Sequence, residues 1–424
     1  MLCCRCANPF ESTLRYSSPA HGGWGVVRAG HQVPESYQLF VTPAACGRHG
    51  AISAYMQGHK KRLSYLYLSE EDIISGSYED LLVDAVGDLL AHLQKQNQMP
   101  KVLMIFVSCI DDLLGTDHEA LLEELRGRYP AVRFTFCHMN PISRDTGVPP
   151  QVNIQNKIYD LLDLSSVRDQ GANLLGNLVS LLPDSEAPAL LAEMGIAPVR
   201  HLAGYSTFDG FQEMARSQLN IVIAPPGKYA ASNFEKKHGT PYLMALTSYR
   251  LEEIAKNYGE ISKFSGFRCP DLSDYEAHCR EEIEETRRIL DNIPIAIDDE
   301  AAARPFDLAR ALLSYGFRIG RMVVQQSGST DQENFGWMRE KYPDIPLQQP
   351  QHHRAPLFEE RIPECLAIGY SSAYLTGARY VAPVDPQLGH WGYAGLCDMM
   401  RILREAVLRP ANLKTLIDDA GLVV

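Results

Sequence analysis

Short apolar runs alternate with amphipathic stretches along the chain, the pattern of parallel strands covered by helices on both faces. Strand-like runs fall at 64–68, at 102–107 (Val102-Leu103-Met104-Ile105-Phe106-Val107) and at 132–137. Between the first two, Leu81, Leu82, Ala85, Leu89, Leu90 and Leu93 recur at helical spacing and predict a helix over 78–94. Another helix is expected over 118–127, and the Pro149-Pro150 pair then breaks the pattern before a helix at 152–162. A second alternation begins near Asn173, with helices at 187–194 and 230–237 and strands at 219–223 and 242–245. The run 275–291, dense in Glu and Arg, reads as a solvated linking helix. A third alternation opens at Ile293-Pro294-Ile295-Ala296-Ile297, with strands at 322–324, 366–368 and 379–382 and helices at 306–315 and 395–407. The chain therefore divides into three expected α/β units, 1–165, 166–290 and 291–424.

Bulk composition narrows the class. A chain of 424 residues exceeds what one hydrophobic core supports and fits two or three domains. With 45% hydrophobic and 22% charged residues it has the composition of an ordinary globular protein. A net charge of −12 argues against nucleic-acid or anionic-membrane partners, which select basic surfaces. No apolar run reaches the ~18 residues that a membrane span needs. The segment from Met1 to Pro9 lacks the apolar stretch of a signal peptide. Ten cysteines are too sparse for a disulfide scaffold, so a reducing cytoplasm is the expected home.

Three of those cysteines carry the candidate chemistry. Cys46 follows the run Leu39-Phe40-Val41-Thr42-Pro43, and Cys109 closes the strand-like run 102–108. Cys6 sits in a dense N-terminal group with Cys3 and Cys4. A cysteine just beyond a parallel strand lies at the sheet edge where α/β proteins bind ligands. Thiolates gathered from several strand ends can hold an iron–sulfur cluster. The plain alternative for each is an ordinary buried thiol. Zinc is the competing metal, but structural zinc sites bring closely spaced ligands in two groups, and here only the N-terminal group is dense.

The context of these cysteines resembles that of the nitrogenase component 1-type proteins, which include nitrogenase catalytic subunits, cofactor scaffolds and protochlorophyllide-type reductases. Cys46-Gly47-x-x-Gly50 and Cys109-x5-Gly115-x-Asp117-x-Glu119 resemble the family's two core cysteine motifs. Ala172-Asn173-Leu174-Leu175-Gly176, Glu193-Met194-Gly195-Ile196, Leu219-Asn220-Ile221-Val222-Ile223 and Lys236-Lys237-His238-Gly239-Thr240-Pro241 follow in the family's order. The shared order is more specific than any one motif.

The resemblance implies three Rossmann-like domains with parallel sheets around a central cleft. It implies an oxidoreductase component holding an iron–sulfur cluster, of four-iron or larger type, through Cys46, Cys109 and a first ligand that is Cys6 or one of its neighbours. Three thiolates leave a four-iron cluster one ligand short, so a homo-oligomer or a homologous second subunit is implied. Nitrogenases attach a further cofactor through a cysteine after the strand that matches 219–223, a position held here by Ala224, and through a third-domain histidine that is replaced within 381–386. His390 and Cys397 remain as alternative donors. No Gly-x-Gly-x-x-Gly follows a strand, so no nicotinamide cofactor is expected. No Gly-x4-Gly-Lys-Ser/Thr is present, so ATP hydrolysis belongs to a separate iron–sulfur reductase protein. The rival readings are a non-catalytic scaffold for metallocofactor assembly and a degenerate subunit that pairs with a catalytic homologue.

Overall fold

The structure, a computed structural model, describes residues 10–11, 29–44, 46–47, 51, 54–55, 58–139, 148–357, 361–384 and 388–420. Its first sheet contains β1 (Ser36–Thr42), β2 (Leu63–Tyr67), β3 (Val102–Val107) and β4 (Arg133–His138). All pairs are parallel and the order is β2-β1-β3-β4. Strand β3 is buried along its whole length, which is why it reads as an unbroken apolar run. Strand β1 is equally buried but carries Ser36, Gln38 and Thr42, which blur its apolar signal. Ser36 is satisfied locally, its hydroxyl donating to the Val33 carbonyl at 2.8 Å. Leu82, Val86, Leu90 and Leu93 of the helix Tyr78–Lys95 join Leu39, Val41, Leu103 and Ile105 in one core cluster. Truncating such a leucine to alanine costs roughly 2–5 kcal/mol.

The second sheet is built the same way from β5 (Ala172–Leu175), β6 (Val199–His201), β7 (Leu219–Val222) and β8 (Tyr242–Met244), in the order β6-β5-β7-β8. A buried polar ladder ties its central strands. Asn173 donates to Asn220 at 2.9 Å, Ser217 donates to Asn173 at 2.9 Å, and Arg200 bridges Ser217 to Asp169. The third sheet runs β11 (Leu347–Gln348), β10 (Ile319–Val323), β9 (Ile295–Asp298), β12 (Leu366–Ile368), β13 (Tyr380–Ala382), again all parallel. The three parallel sheets expected from the alternation are therefore present.

By contacts the chain forms two compact units. One holds the first two sheets, in residues 29–180 and 196–244; the other holds the third sheet, in residues 10–11, 181–195 and 245–420. In the second unit the charged run is not solvated all round. The helix Ser273–Leu290 buries Cys279, Ile283, Thr286 and Leu290 against the helix Gly392–Leu408, to which Glu282 adds an ion pair with Arg404, while most of its other charged side chains face outward. Charge density hid a narrow apolar stripe at helical spacing. Among the described residues no helix is long and apolar enough to cross a membrane.

Candidate functional site

In an open parallel sheet, ligands bind beyond the carboxyl ends of the strands where the winding direction reverses. In the first sheet that point lies between β1 and β3, because β2 is wound to one side and β3–β4 to the other. The register pairs Val41 with Val107, so both strands end at the same edge. Cys46 follows β1 by one helical turn, its amide donating to the Pro43 carbonyl at 3.0 Å, and its side chain is exposed. Cys109 opens the short helix Cys109–Leu114 directly after β3 and is half-buried. Ser108 caps that helix, its hydroxyl accepting from the Ile110 amide. Two cysteines thus leave the two strands that flank the reversal. Cys6, the expected first ligand, lies outside the described residues, as do Cys3, Cys4, Arg48 and His49.

Thiols that hold iron must be reachable and unsealed. Cys46 and Cys109 meet this condition, whereas Cys137, Cys279 and Cys365 are buried. Burial pushes the Cys137 thiol up to about 12, the state of an inert core residue. Gly47, next to Cys46, is backed by the stacked rings of Tyr65 and Tyr67: a Cβ there would stand 3.0 Å from Tyr65 and 3.1 Å from Tyr67.

The stretch after Cys109 contains polar residues that the motif alone does not explain. Asp111 is 1% exposed, yet among the described residues no lysine or arginine pairs with it; His118 Nε2 lies 2.6 Å from Oδ2. Its other oxygen accepts the Tyr78 hydroxyl at 2.7 Å. Burial alone would raise the Asp111 carboxyl, but the hydrogen bonds from His118 and Tyr78 outweigh it and hold it below the usual range. His138, at the end of β4, sets its ring edge-on to His118 with centroids 4.7 Å apart. Burial, then the neighbouring His118, lowers the His138 imidazole. Sequence reading singled out neither histidine, because their spacing crosses a helix and a strand and matches no short ligand motif.

The equivalent point of the second sheet lies between β5 and β7, and it is built differently. Gly176 follows β5 with a φ of +108°, and a Cβ there would stand 2.9 Å from the Ala224 amide nitrogen and closer still to its carbonyl oxygen. A Cβ on Gly227 would stand 2.6 Å from Gly176. The two turns therefore touch backbone to backbone. His201 closes the neighbouring strand end, Nδ1 accepting from the Ala203 amide and Nε2–H donating to the Asn177 carbonyl, both at 3.1 Å. Ala224 offers no ligating atom.

In the other unit, His390 is buried with both ring nitrogens engaged, Nδ1 with the Tyr249 hydroxyl at 3.0 Å and Nε2 with Asp398 at 2.9 Å. Cys397 faces Cys279 at an Sγ–Sγ distance of 3.0 Å. His352 stacks on His353 and lies 3.2 Å from Glu11. Each of these side chains already has a partner.

Residues 22–408 match the family of nitrogenase component 1 type oxidoreductases. The chain is 25% identical over 245 residues to the nitrogenase iron-molybdenum cofactor biosynthesis protein NifE of Clostridium pasteurianum, covering 55% of this chain and 51% of that protein. It thus spans about half the length of the curated relative it matches. Among solved structures it is similar to nitrogenase Cp1 at pH 6.5, with a TM-score of 0.70 at 13% identity, covering 95% of this chain and 96% of that one. Against nitrogenase Cp1 at pH 5 the TM-score is 0.61 at 13% identity, covering 95% and 91%. Likeness at that identity is likeness of fold.

Proposed function

The chain belongs to the nitrogenase component 1 type oxidoreductases, and from that premise we propose that it is the iron–sulfur component of a nitrogenase-like reductase. Cys46 and Cys109 serve as two of the thiolates that hold the cluster, with Cys6 as the third. The observation that carries this reading is the placement of the two described thiols after β1 and β3, on either side of the winding reversal of the first sheet. A bound four-iron or larger cluster would supply one-electron storage. The chain's own residues would anchor it on two adjacent strand ends, so that its position is set by the sheet rather than by a free loop. The ligand still missing would come from a second copy or a homologous subunit, and the electrons from an ATP-dependent iron–sulfur reductase.

Ala224 and the doubly engaged His390 support a further part of this reading: the chain does not attach a molybdenum-type cofactor as nitrogenases do. Anaerobic purification with iron, sulfide and molybdenum analysis and EPR tests both parts. Iron and sulfide in matching amounts with a cluster EPR signal are expected. Iron-free protein after anaerobic reconstitution sinks the first part, and stoichiometric molybdenum sinks the second.

A scaffold role is the second reading, favoured by the similarity to a nitrogenase iron-molybdenum cofactor biosynthesis protein. The two part on one measurement. A scaffold gives up its cluster to an apo-acceptor protein, whereas a reductase component retains it through repeated reduction and reoxidation.

A further inference from the structure

Beside the cysteine-bearing edge, three successive elements converge on one point. Val107 pairs with His138, so the ends of β3 and β4 lie side by side. The chain leaves β3 into the helix that carries Asp111, reverses at Gly115 in the left-handed region (φ +68°), and enters the helix His118–Arg128 at His118. That helix leads into β4, which ends at His138. One ligand atom from each of Asp111, His118 and His138 lies within 4.8 Å of the other two. Among the described residues they are the only such group of three.

We propose that Asp111, His118 and His138 bind one divalent transition-metal cation. Two imidazoles and one carboxylate are the donor set of mononuclear zinc and non-haem iron sites, with positions left for water or another ligand. The surroundings fit that use. The Asp111 carboxylate is buried with no lysine or arginine beside it among the described residues, so a cation would answer a charge now met by His118 and the Tyr78 hydroxyl. Tyr78 donates to the carboxylate oxygen that His118 does not touch, and so fixes the orientation of the ligand. Asp112 Oδ1 lies 3.5 Å from His138 Nδ1, a second carboxylate beside the second imidazole. With a cation bound, the triad would clip the end of β4 to the turn that begins at Cys109. The site does not depend on the cluster reading, since none of its donors is a thiol.

The test uses the full chain, stripped with EDTA and titrated with Co²⁺ and Zn²⁺. One equivalent of Co²⁺ is expected to bind with visible bands of a nitrogen–oxygen site and no thiolate-to-cobalt charge transfer. The same titration on the Cys46→Ser/Cys109→Ser double variant should be unchanged, which separates this site from the cluster. His118→Ala and His138→Ala should each lose stoichiometric binding, and Tyr78→Phe should weaken it roughly 10-fold. Should either histidine variant misfold by circular dichroism, X-ray absorption of the zinc-loaded wild type decides, with two imidazoles and no sulfur expected around the metal. Unchanged cobalt binding in both histidine variants, a sulfur-containing shell, or no Zn²⁺ binding at millimolar concentration would overturn the assignment. The last result would leave Tyr78, Asp111 and His118 as a hydrogen-bonded core network only.

Discussion

The first two sheets have the same strand order, the same all-parallel pairing and the same reversal of winding, yet their edges are finished in opposite ways. At the first, an exposed and a half-buried thiol follow the two central strands, and a buried carboxylate with two histidines stands beside them. At the second, glycines let the two turns meet backbone to backbone, and the polar atoms nearby are used internally by His201 and Asn177. Topology thus offers a binding edge at every such reversal, but the first few residues after each strand decide whether it becomes a site or is sealed.

Breaking the first edge should remove chemistry without removing the fold. Cys46→Ala and Cys109→Ala are each expected to lose most of the iron bound under anaerobic purification. Cys279→Ala, buried in the other unit, should keep it. Full iron retention in both of the first two variants defeats the cluster assignment. Breaking the second edge should do the reverse. Gly176→Ala places a Cβ against Ala224 at a positive φ, and should cost roughly 2–5 kcal/mol from overpacking and backbone strain together. Urea unfolding would measure the loss, while iron content per folded chain should stay near wild type. A Gly176→Ala protein as stable as wild type would show that the turns do not seal this edge.

The contrast between the two edges also explains what could be read from sequence. Strand β3 and the helix Tyr78–Lys95 were legible because one is apolar throughout and the other has a clear helical stripe. Strand β1 was not predicted as a strand, since Ser36, Gln38 and Thr42 interrupt it and their burial depends on local and tertiary partners. The helices Leu251–Ser265 and Gln332–Lys341 went unpredicted for a related reason: lysines and glutamates are interleaved with the few residues that touch the core. Cys46 and Cys109 were visible through their motifs. The convergence of His118 and His138 on Asp111 was not, because only the parallel register of β3 and β4 brings them together. Nor could sequence show that Gly176 and Gly227 are in contact, since two strands and several helical segments separate them along the chain.

Sealing the second edge should leave a pH signature. Burial lowers the His201 imidazole from its ordinary 6.5 to about 4, so the folded chain holds it neutral where the unfolded chain takes up a proton. Its contribution is therefore fully present above about pH 6.5 and is lost as pH falls towards 4, by at most about 3 kcal/mol. Stability to urea should decline over that window, and His201→Gln should flatten the decline. An identical slope in the variant would place the titrating group elsewhere.

The smallest effect separates strain from crowding. Gly115, between Asp111 and His118 on the first edge, has a positive φ like Gly176, but a Cβ there would meet nothing within 4 Å. Gly115→Ala should therefore cost only the left-handed backbone penalty, roughly 1–2 kcal/mol. Gly115→Asn should cost less, because asparagine tolerates that conformation through its short polar side chain. Urea unfolding of both variants, set beside Gly176→Ala, measures how much of the second edge's rigidity comes from contact and how much from conformation. If Gly115→Ala proves as damaging as Gly176→Ala, the open space at the first edge is not real in solution. The difference drawn between the two sheets would then fail at that point.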